Sequence, residues 1–418
     1  MAARPAPPGR RASEHRVALV YDAVYPYQKG GGERRFRQLA ALLGDAGWEV
    51  DLYGMRSWAA RGPVHVSARV RIHGICKARP LYTASGRRSI VQGLLFGLAC
   101  LRLLGRRFDV IDCCGFPYFS LFSCKLVAVL RRRPLVSTWH EVWGPAYWRE
   151  YLGPAGGRVG ALVERLAVTL PDRIICVSRT TGDRIRRELG YRKPMFLMPN
   201  GVDTRLAALV APASSTVDVI FAGRLIAEKN VDLLLLALHR LAAERPPVRC
   251  LIVGDGPERG RLERLRADLG LASSVAFAGH LPSSRAVLAA MKAARVLVLP
   301  SRREGFGMVV LEANACGLPV ITVRHPANAA AELIHNGRNG WVVAADGEAL
   351  AGAVREALRQ PRLPLVGELV GEYSWERLAE RYALRALYQV GTGAPAGAPA
   401  AGGPAAGGPV PIPLPDAG

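Results

Sequence analysis

The 418 residues are half apolar, which is enough to bury two hydrophobic cores, and they carry a formal net charge of +22. No run of 18 apolar residues occurs and the amino-terminal stretch has no apolar segment, which argues against a membrane-spanning helix and a signal peptide. The eight cysteines have neither Cys-x-x-Cys nor metal-ligand spacing, so we expect reduced thiols and a cytoplasmic protein.

The positive charge is concentrated in the amino-terminal half. Residues 1–203 hold 33 Lys/Arg against 15 Asp/Glu, a net charge of +18, whereas residues 204–418 carry +4. Such a field suits an anionic membrane surface, a phosphate-bearing acceptor or nucleic acid. Nucleic acid is disfavoured because no zinc spacing or RNP-like pattern accompanies the charge. Codon usage that favours arginine remains an alternative cause of the excess.

The first predicted unit is a strand, a glycine loop and a helix. Residues 16–21 form an apolar run, Gly30, Gly31 and Gly32 follow, and an amphipathic helix continues to Gly47. This is a Rossmann-type opening, although GGGERR lacks the G-x-G-x-x-G spacing of dinucleotide sites. A plain strand-to-helix turn remains an alternative role for the glycines.

Two further helices of this half are predicted to be apolar. Residues 89–104 are too short and too often interrupted by glycine to span a bilayer, so we expect a buried helix, with lipid contact as the alternative. A strand at 108–113 leads into an aromatic helix that ends at Arg131, Arg132 and Arg133. Cations at that end offset the helix dipole.

Polar residues follow the strand predicted at 135–138. His140 and Glu141 come just past its carboxyl end, where open α/β sheets bind ligands. The next aromatic side chains would either stack on an acceptor sugar or pack together: Trp143, Tyr147, Trp148 and Tyr151.

Residues 204–216 show no clear period and are predicted to connect two domains. They follow a strand at 173–177 and the turn MPNGVD, which contains Asn200. The second half opens with a strand at 217–221. The loop after it holds a glycine, two cations and a residue suited to capping the next helix: Gly223, Arg224, Lys229 and Asn230.

Residues 296–322, VLVLPSRREGFGMVVLEANACGLPVIT, predict a strand, a loop, a helix and a second strand. Glu304 precedes the helix and Glu312 comes eight residues later, roughly 12 Å away at the rise of an α-helix, a span that suits the two ends of a nucleotide-sugar. Gly305 and Gly307 keep side chains away from the helix N-terminus, where unpaired N–H groups and the dipole favour a diphosphate. Solvated glutamates beside an amphipathic helix are the ordinary alternative.

The segment EGFGMVVLEA, with GLPVI behind it, resembles the donor-site signature of retaining GT-B glycosyltransferases, in particular glycosyltransferase family 4. The His140-Glu141 pair, PNGVD, the Arg224 and Lys229 pair, GDGP and FAGHLP match the same family. The resemblance covers roughly residues 15–390. It departs at one loop, where 328–331 read Asn-Ala-Ala-Ala before a glutamate and many members have Gly-Gly.

The resemblance implies that a hexosyl unit is moved with retention from a GDP- or UDP-hexose to a glycan or lipid-linked hydroxyl, with no metal or other cofactor. It implies catalytic roles for His140 and Glu304 and contact between Glu312 and the donor ribose. The residues implied at the donor diphosphate are Arg224, Lys229, Gly31 and Gly307. Those implied at the transferred sugar are Glu304, Gly305, Phe306 and Gly307, with Glu141, Asn200 and Gly223 in support.

The family also implies two Rossmann-like α/β domains that face a cleft. The expected parts are a disordered start (1–14), an acceptor domain (15–203), a linker (204–216), a nucleotide-sugar domain (217–372), a helix crossing back to the first domain (373–390) and a tail (391–418). The Ala, Gly and Pro composition of that tail predicts disorder.

Two other functions remain open, a GT-B nucleotide-sugar epimerase and a non-catalytic sugar- or membrane-binding protein on the same scaffold. All the charged positions of the donor site are present, which favours the transferase. The basic first half further predicts peripheral contact with an anionic surface, the inner face of the cell membrane. No nucleic-acid partner is expected.

Overall fold

A computed structural model describes residues 15–28, 30–59, 62–83, 87–242, 247–360, 366–381 and 410–411. These residues form two large, mainly parallel β-sheets with helices packed against them. The predicted α/β class is therefore confirmed. We call the part built on the first sheet the first domain and the part built on the second sheet the second domain.

The first sheet comes from the amino-terminal half. Its strands are β1 (Arg16–Val20), β2 (Glu49–Arg56), β3 (Val64–His65), β4 (Val70–Lys77), β5 (Val110–Cys114), β6 (Leu135–Trp139), β7 (Arg173–Cys176) and β8 (Met195–Leu197). Their spatial order is β8-β7-β6-β5-β1-β2-β4-β3, and among these eight strands only β3 and β4 pair antiparallel. The order reverses between β1 and β5, so a crevice opens beyond their carboxyl ends, where such sheets bind ligands.

Six helices accompany this sheet and the junction behind it. They are α1 (Gly31–Asp45), α2 (Ile90–Ala99), α3 (Phe119–Arg131), α4 (Gly144–Ala167), α5 (Arg179–Leu189) and α6 (Thr204–Leu209). A 3-10 turn, Cys100–Gly105, continues α2. The predicted apolar face of α1, which includes Phe36 and Leu43, is buried on the sheet because it repeats at the helical period.

The second domain has its own sheet and core. Its strands are β9 (Val217–Ala222), β10 (Cys250–Val253), β11 (Val275–Gly279), β12 (Ala294–Leu299), β13 (Arg303–Glu304), β14 (Val320–Val323), β15 (Ala327–Asn328) and β16 (Gly340–Val343). The order β11-β10-β9-β12-β14-β16 forms the parallel sheet, and β13 pairs with β15 separately. The helices are α7 (Val231–Arg240), α8 (Arg259–Asp268), α9 (Ser284–Lys292), α10 (Met308–Ala315), α11 (Gly347–Arg359), α12 (Val366–Gly371) and α13 (Trp375–Arg381).

Helix α13 packs on the first domain. Trp375 and Leu378 are buried in the same apolar cluster as Val17 and Phe36. The chain therefore returns to the first domain after completing the second sheet. Residues 382–390, the rest of the predicted crossing helix, lie outside the described residues.

The connection predicted at 204–216 contains a short helix, α6, because the Asp203 carboxylate accepts a hydrogen bond from Leu206 N at 2.8 Å and starts a helix there. The predicted capping of α7 by Asn230 is wrong. Asn230 precedes α7 but has a left-handed φ of 55°, and its side chain makes no capping hydrogen bond.

Residues 1–14 and most of 391–418, the predicted disordered ends, lie outside the described residues. Within the tail, Val410–Pro411 form a short strand, β17, antiparallel to β8, against the expectation of no regular structure. None of the helices in the described ranges is both long and apolar enough to cross a bilayer. All eight cysteines are free thiols.

Candidate active site

A cleft of about 1000 Å³ lies between the two domains. The start of α1 and the loops after β1, β5 and β6 border it on one side, and the loops after β9, β10, β11 and β12 border it on the other. The twelve residues predicted for the site all line it: Gly31, His140, Glu141, Asn200, Gly223, Arg224, Lys229, Glu304, Gly305, Phe306, Gly307 and Glu312. The fold thus gathers them in one place.

Two helices begin at the cleft. Helix α1 begins at Gly31, and α10 begins at Met308 behind Gly307, whose φ is 92° and therefore favours glycine. A Cβ atom on Gly31 would lie 3.5 Å from Cγ of Met308, so the two helix ends are close together. Unpaired N–H groups and the positive dipole ends favour an anion between them.

The predicted basic pair reaches the cleft from the loop after β9. Nζ of Lys229 lies 2.5 Å from Oε1 of Glu304, and both side chains are mostly buried. The Arg224 guanidinium lies over the ring of Tyr82, 3.7 Å from its centroid, and so contacts the first domain. Glu304 therefore pairs with the cation that the sequence analysis assigned to the diphosphate.

Glu312 lies in the second turn of α10 and faces the first domain. Its Oε1 accepts a hydrogen bond from Nη1 of Arg34 at 2.7 Å. Burial raises the pKa of Glu312, and the charge and hydrogen bond of Arg34 oppose that rise. Sequence reasoning missed Arg34, although it follows the glycine loop directly in GGGERR.

His140 follows the last residue of β6, as predicted. Burial, together with the charge of Arg35, lowers the pKa of His140 to about 3, so its ring is neutral near pH 7. Its Nε2 is buried and makes no hydrogen bond with any described residue. In a neutral ring, an Nε2 without a partner retains the capacity to form one hydrogen bond.

The backbone of Gly305 joins the two domains directly. Its carbonyl accepts hydrogen bonds from Oγ of Ser178 at 2.8 Å and from Oγ1 of Thr181 at 3.3 Å. A Cβ atom at this position would lie 1.9 Å from the His140 carbonyl oxygen. Only glycine permits this approach, so Gly305 serves the contact between the domains in addition to lining the cleft.

The remaining predicted residues form the walls of the cleft. Asn200 Oδ1 accepts a hydrogen bond from the buried Arg35 at 2.8 Å. Glu141 pairs with Arg303 of the second domain at 3.3 Å. The Phe306 ring is 6.3 Å from that of Tyr373, between centroids, and is almost fully buried, which leaves little of it for a sugar. The remaining wall residue, Gly223, adjoins the basic pair, since Arg224 is its direct neighbour.

The aromatic residues after β6 pack with one another. The Trp143 and Trp148 rings are 4.6 Å apart and both are buried. Tyr147 donates a hydrogen bond to Glu228 and carries the Arg303 guanidinium 3.6 Å above its ring. Of the two roles left open by the sequence, the structure therefore favours packing. Tyr82, which is 43% exposed at the edge of the cleft, is more accessible, although the Arg224 guanidinium covers one face of its ring.

The loop that departs from the family pattern also reaches the first domain. The Glu332 carboxylate accepts hydrogen bonds from the backbone N–H groups of Arg179 at 3.1 Å and Thr180 at 2.6 Å. These are the first residues of α5, so Glu332 neutralises the positive end of that helix from across the cleft. Asn328 is buried and bonds its own loop instead of facing the cleft.

Comparison with known families agrees with this architecture. Residues 29–206 match the family described as Glycosyltransferase Family 4, and residues 211–379 match Glycosyl transferases group 1. The chain belongs to the family 4 glycosyltransferases of the GT-B fold. This confirms the family that the EGFGMVVLEA segment indicated.

Two curated relatives of this family 4 protein are enzymes named for phosphatidylinositol. A GDP-mannose-dependent alpha-(1-6)-phosphatidylinositol monomannoside mannosyltransferase of Mycolicibacterium smegmatis is 33% identical over 46% of this chain and 54% of its own length. The phosphatidylinositol N-acetylglucosaminyltransferase gpi3 subunit of Schizosaccharomyces pombe is 31% identical over 73% of this chain and 65% of its own. The chain thus spans less than two thirds of each relative.

A solved structure shares the fold of this family 4 protein. The sucrose-phosphate synthase of Thermosynechococcus elongatus matches with a TM-score of 0.74 and 22% identity, over 90% of this chain and 98% of that one. The predicted GT-B arrangement of two Rossmann-like domains is therefore confirmed.

Proposed function

We propose that this protein transfers a hexosyl unit, with retention, from a GDP- or UDP-hexose to a hydroxyl of a lipid-linked or glycan acceptor. The observation that carries the proposal is the cleft itself. Lys229, Arg224 and the start of α10 line it and supply positive charge for a diphosphate, and Glu304 and Glu312 line the same cleft and would accept hydrogen bonds from a sugar and a ribose. The GDP-mannose dependence in the name of one relative supports a nucleotide-sugar donor.

In the proposed reaction the bond between the anomeric carbon and the β-phosphate oxygen breaks. The acceptor oxygen forms the new bond on the same face of the sugar, and its proton passes to the departing phosphate oxygen. The leaving diphosphate gains negative charge, which Arg224, Lys229 and the N–H groups at the start of α10 would stabilise. Neutral His140 would hold the sugar with one hydrogen bond.

Replacement of Lys229 by alanine should weaken binding of GDP or UDP roughly tenfold or more, because one charge-assisted hydrogen bond to the diphosphate is lost. Titration calorimetry with both nucleotides measures the loss. The exposed Lys193→Ala variant is the matched control and should bind as the unmodified protein does. Equal affinities in all three proteins would contradict the proposed diphosphate site.

Donor chemistry separates the proposed function from its alternatives. Without an acceptor, the protein should hydrolyse UDP-glucose or GDP-mannose slowly. Proton NMR should then show α-hexose as the first sugar released, which is the outcome of retention. An epimerised nucleotide-sugar would instead identify an epimerase. Absence of any thermal stabilisation by nucleotides or nucleotide-sugars would favour a non-catalytic scaffold, since a ligand at 100 times its Kd stabilises by about 2.7 kcal/mol.

The lipid-linked acceptor is supported by one surface of the first domain. Helices α2 and α3 approach closely, since a Cβ atom on Gly97 would lie 2.9 Å from the Phe119 backbone. Their outer sides expose an apolar set: Val91, Leu94, Leu98, Phe122, Leu126, Val129 and Leu130. We call this set the apolar face. A contiguous patch of this kind on a protein surface commonly marks contact with a membrane or a partner.

Arginines stand at the end of the apolar face. Arg106 and Arg107 follow the 3-10 turn that continues α2, and Arg131 and Arg132 lie at the end of α3. Two further arginines near these helices are paired, Arg88 with the buried Asp22 at 2.9 Å and Arg133 with Asp109 at 3.4 Å. Apolar side chains beside unburied cations suit an anionic phospholipid bilayer, to which each basic residue contributes about 1 kcal/mol.

We expect the protein to sediment with anionic vesicles and to be released as salt rises, because these cations are screened beyond roughly 8 to 10 Å at physiological ionic strength. Leu98→Glu combined with Leu126→Glu should remove binding. Leu209→Glu is the matched control, because Leu209 is 74% exposed on α6, away from this face. Protein that stays in the supernatant with anionic vesicles at low salt would leave codon usage as the explanation for the arginines.

A further inference from the structure

Arg34 is a first-domain residue whose side chain binds two groups of the second domain. Its Nη1 donates to Glu312 Oε1 at 2.7 Å, and its Nη2 donates to Ser284 Oγ at 3.0 Å. Its side chain is about one third exposed and that of Glu312 about one fifth. None of the predictions made from the sequence includes this residue.

The position of Arg34 follows from the contact between two helices. Gly31 and Arg34 lie three residues apart on one face of α1, and Met308 and Glu312 lie four residues apart on one face of α10. Gly31 adjoins Met308, so one turn further along Arg34 meets Glu312. The two helices are therefore in van der Waals reach at their first turns, and at the second turn a guanidinium of α1 meets a carboxylate of α10.

The contact leaves Glu312 able to bind more. Each carboxylate oxygen accepts about two hydrogen bonds, and Arg34 uses one position on Oε1. Among the described residues no other hydrogen bond reaches this carboxylate, so Oε2 and the second position of Oε1 remain for hydroxyl donors. A vicinal pair of ribose hydroxyls supplies two donors at this spacing. A buried carboxylate without a cation would be costly, so Arg34 stabilises the charged form that accepts those bonds.

We infer that Arg34 is a positioning residue for the donor ribose: it orients the Glu312 carboxylate from the first domain, so that recognition of the ribose hydroxyls depends on the closed cleft. The inference rests on the proposed function, in which Glu312 contacts the ribose. It assigns to α1 a part in nucleotide recognition although α1 lies in the domain that takes the acceptor.

The test compares nucleotides with and without ribose hydroxyls. Dissociation constants are measured for GDP and UDP and for their 2′,3′-dideoxy counterparts, with the unmodified protein, Arg34→Gln, Glu312→Gln and the double variant. The unmodified protein should prefer the ribonucleotides by roughly tenfold or more. Arg34→Gln and Glu312→Gln should each bring that ratio close to one, and the double variant should lose nothing further because both changes remove the same interaction.

Arg37→Gln is the matched control. Arg37 stands on the same helix one turn further on, at a smaller cavity behind the cleft, and does not touch Glu312. It should keep the full ribose preference. Arg34→Lys retains a charge but cannot donate to Glu312 and Ser284 together in the fixed geometry of a guanidinium, so it should show an intermediate ratio. That variant also serves if Arg34→Gln does not fold.

The possible outcomes separate this inference from the proposed function. If Arg34→Gln weakened the binding of ribonucleotides and dideoxynucleotides equally, Arg34 would act on phosphate binding or on domain closure, and the inference would be overturned. An unchanged ratio in Arg34→Gln, with Glu312→Gln reduced, would overturn it as well while leaving the ribose role of Glu312 intact. Failure of the unmodified protein to bind any of these nucleotides would overturn both proposals.

Discussion

Gly305→Ala should lower the rate of transfer about a hundredfold and should weaken binding of GDP and UDP by about tenfold, the effect expected when the contact between Arg34 and Glu312 is lost. The added Cβ would lie 1.9 Å from the His140 carbonyl oxygen and 3.2 Å from Cβ of Glu141. The first of these neighbours is backbone, so no side-chain rotation relieves the clash and the domains must move apart. A displacement of about 1 Å between reacting groups costs about a hundredfold in rate.

Small-angle scattering and calorimetry together test this expectation. With saturating GDP or UDP the unmodified protein should give a smaller radius of gyration than Gly305→Ala, because closure brings the Gly305 loop onto Ser178. Gly352→Ala is the control, since Gly352 lies within α11 and a Cβ atom added there would meet no atom within 4 Å. Identical scattering profiles and rates for Gly305→Ala and the unmodified protein would contradict the role assigned to this contact.

Glu164→Ala should lower the free energy of unfolding by about 4 kcal/mol, the largest stability effect we expect from a single change. The Glu164 carboxylate is fully buried within α4. It accepts four hydrogen bonds of 2.8 to 2.9 Å, from the backbone N–H groups of Trp143 and Gly144, from Tyr118 Oη and from Trp148 Nε1. Removal of this acceptor leaves four buried donors unsatisfied, each at a cost of about 1 to 3 kcal/mol before relaxation.

These four hydrogen bonds form because the two helical segments of α4 fold back on each other as a hairpin. Gly153 has a φ of 75° and Pro154 follows it, so the second helical segment turns back and Glu164 reaches the amino-terminal end of the first. Thermal unfolding should show a fall of roughly 10 °C for Glu164→Ala. The exposed Glu150→Ala on the same helix should change the midpoint by about a degree at most. Equal midpoints for the two variants would contradict the structural role of Glu164.

The local patterns of the sequence determined the parts of the site that lie within one strand-loop-helix unit. The sequence predicted Glu304 before a helix and Glu312 within it, and both line the cleft, but the helical rise used to relate them applies only from Met308, where α10 begins. Gly305 and Gly307 predicted a helix N-terminus free of side chains, because glycine affects the turn that directly adjoins it. The alternation of apolar strands and amphipathic helices likewise predicted two α/β domains, because each pattern reflects burial on one face.

The cross-domain contacts were decided only by the tertiary structure. Arg34 and Glu312 are 278 residues apart, and no local pattern records that two helix faces meet. The clash that requires glycine at 305 arises from a carbonyl in the other domain. Likewise, Arg88 pairs with the buried Asp22, which is 66 residues away in the sequence. A side chain's partner depends on which surfaces packing brings together, and in this protein that packing joins the first-domain helices to the donor residues of the second.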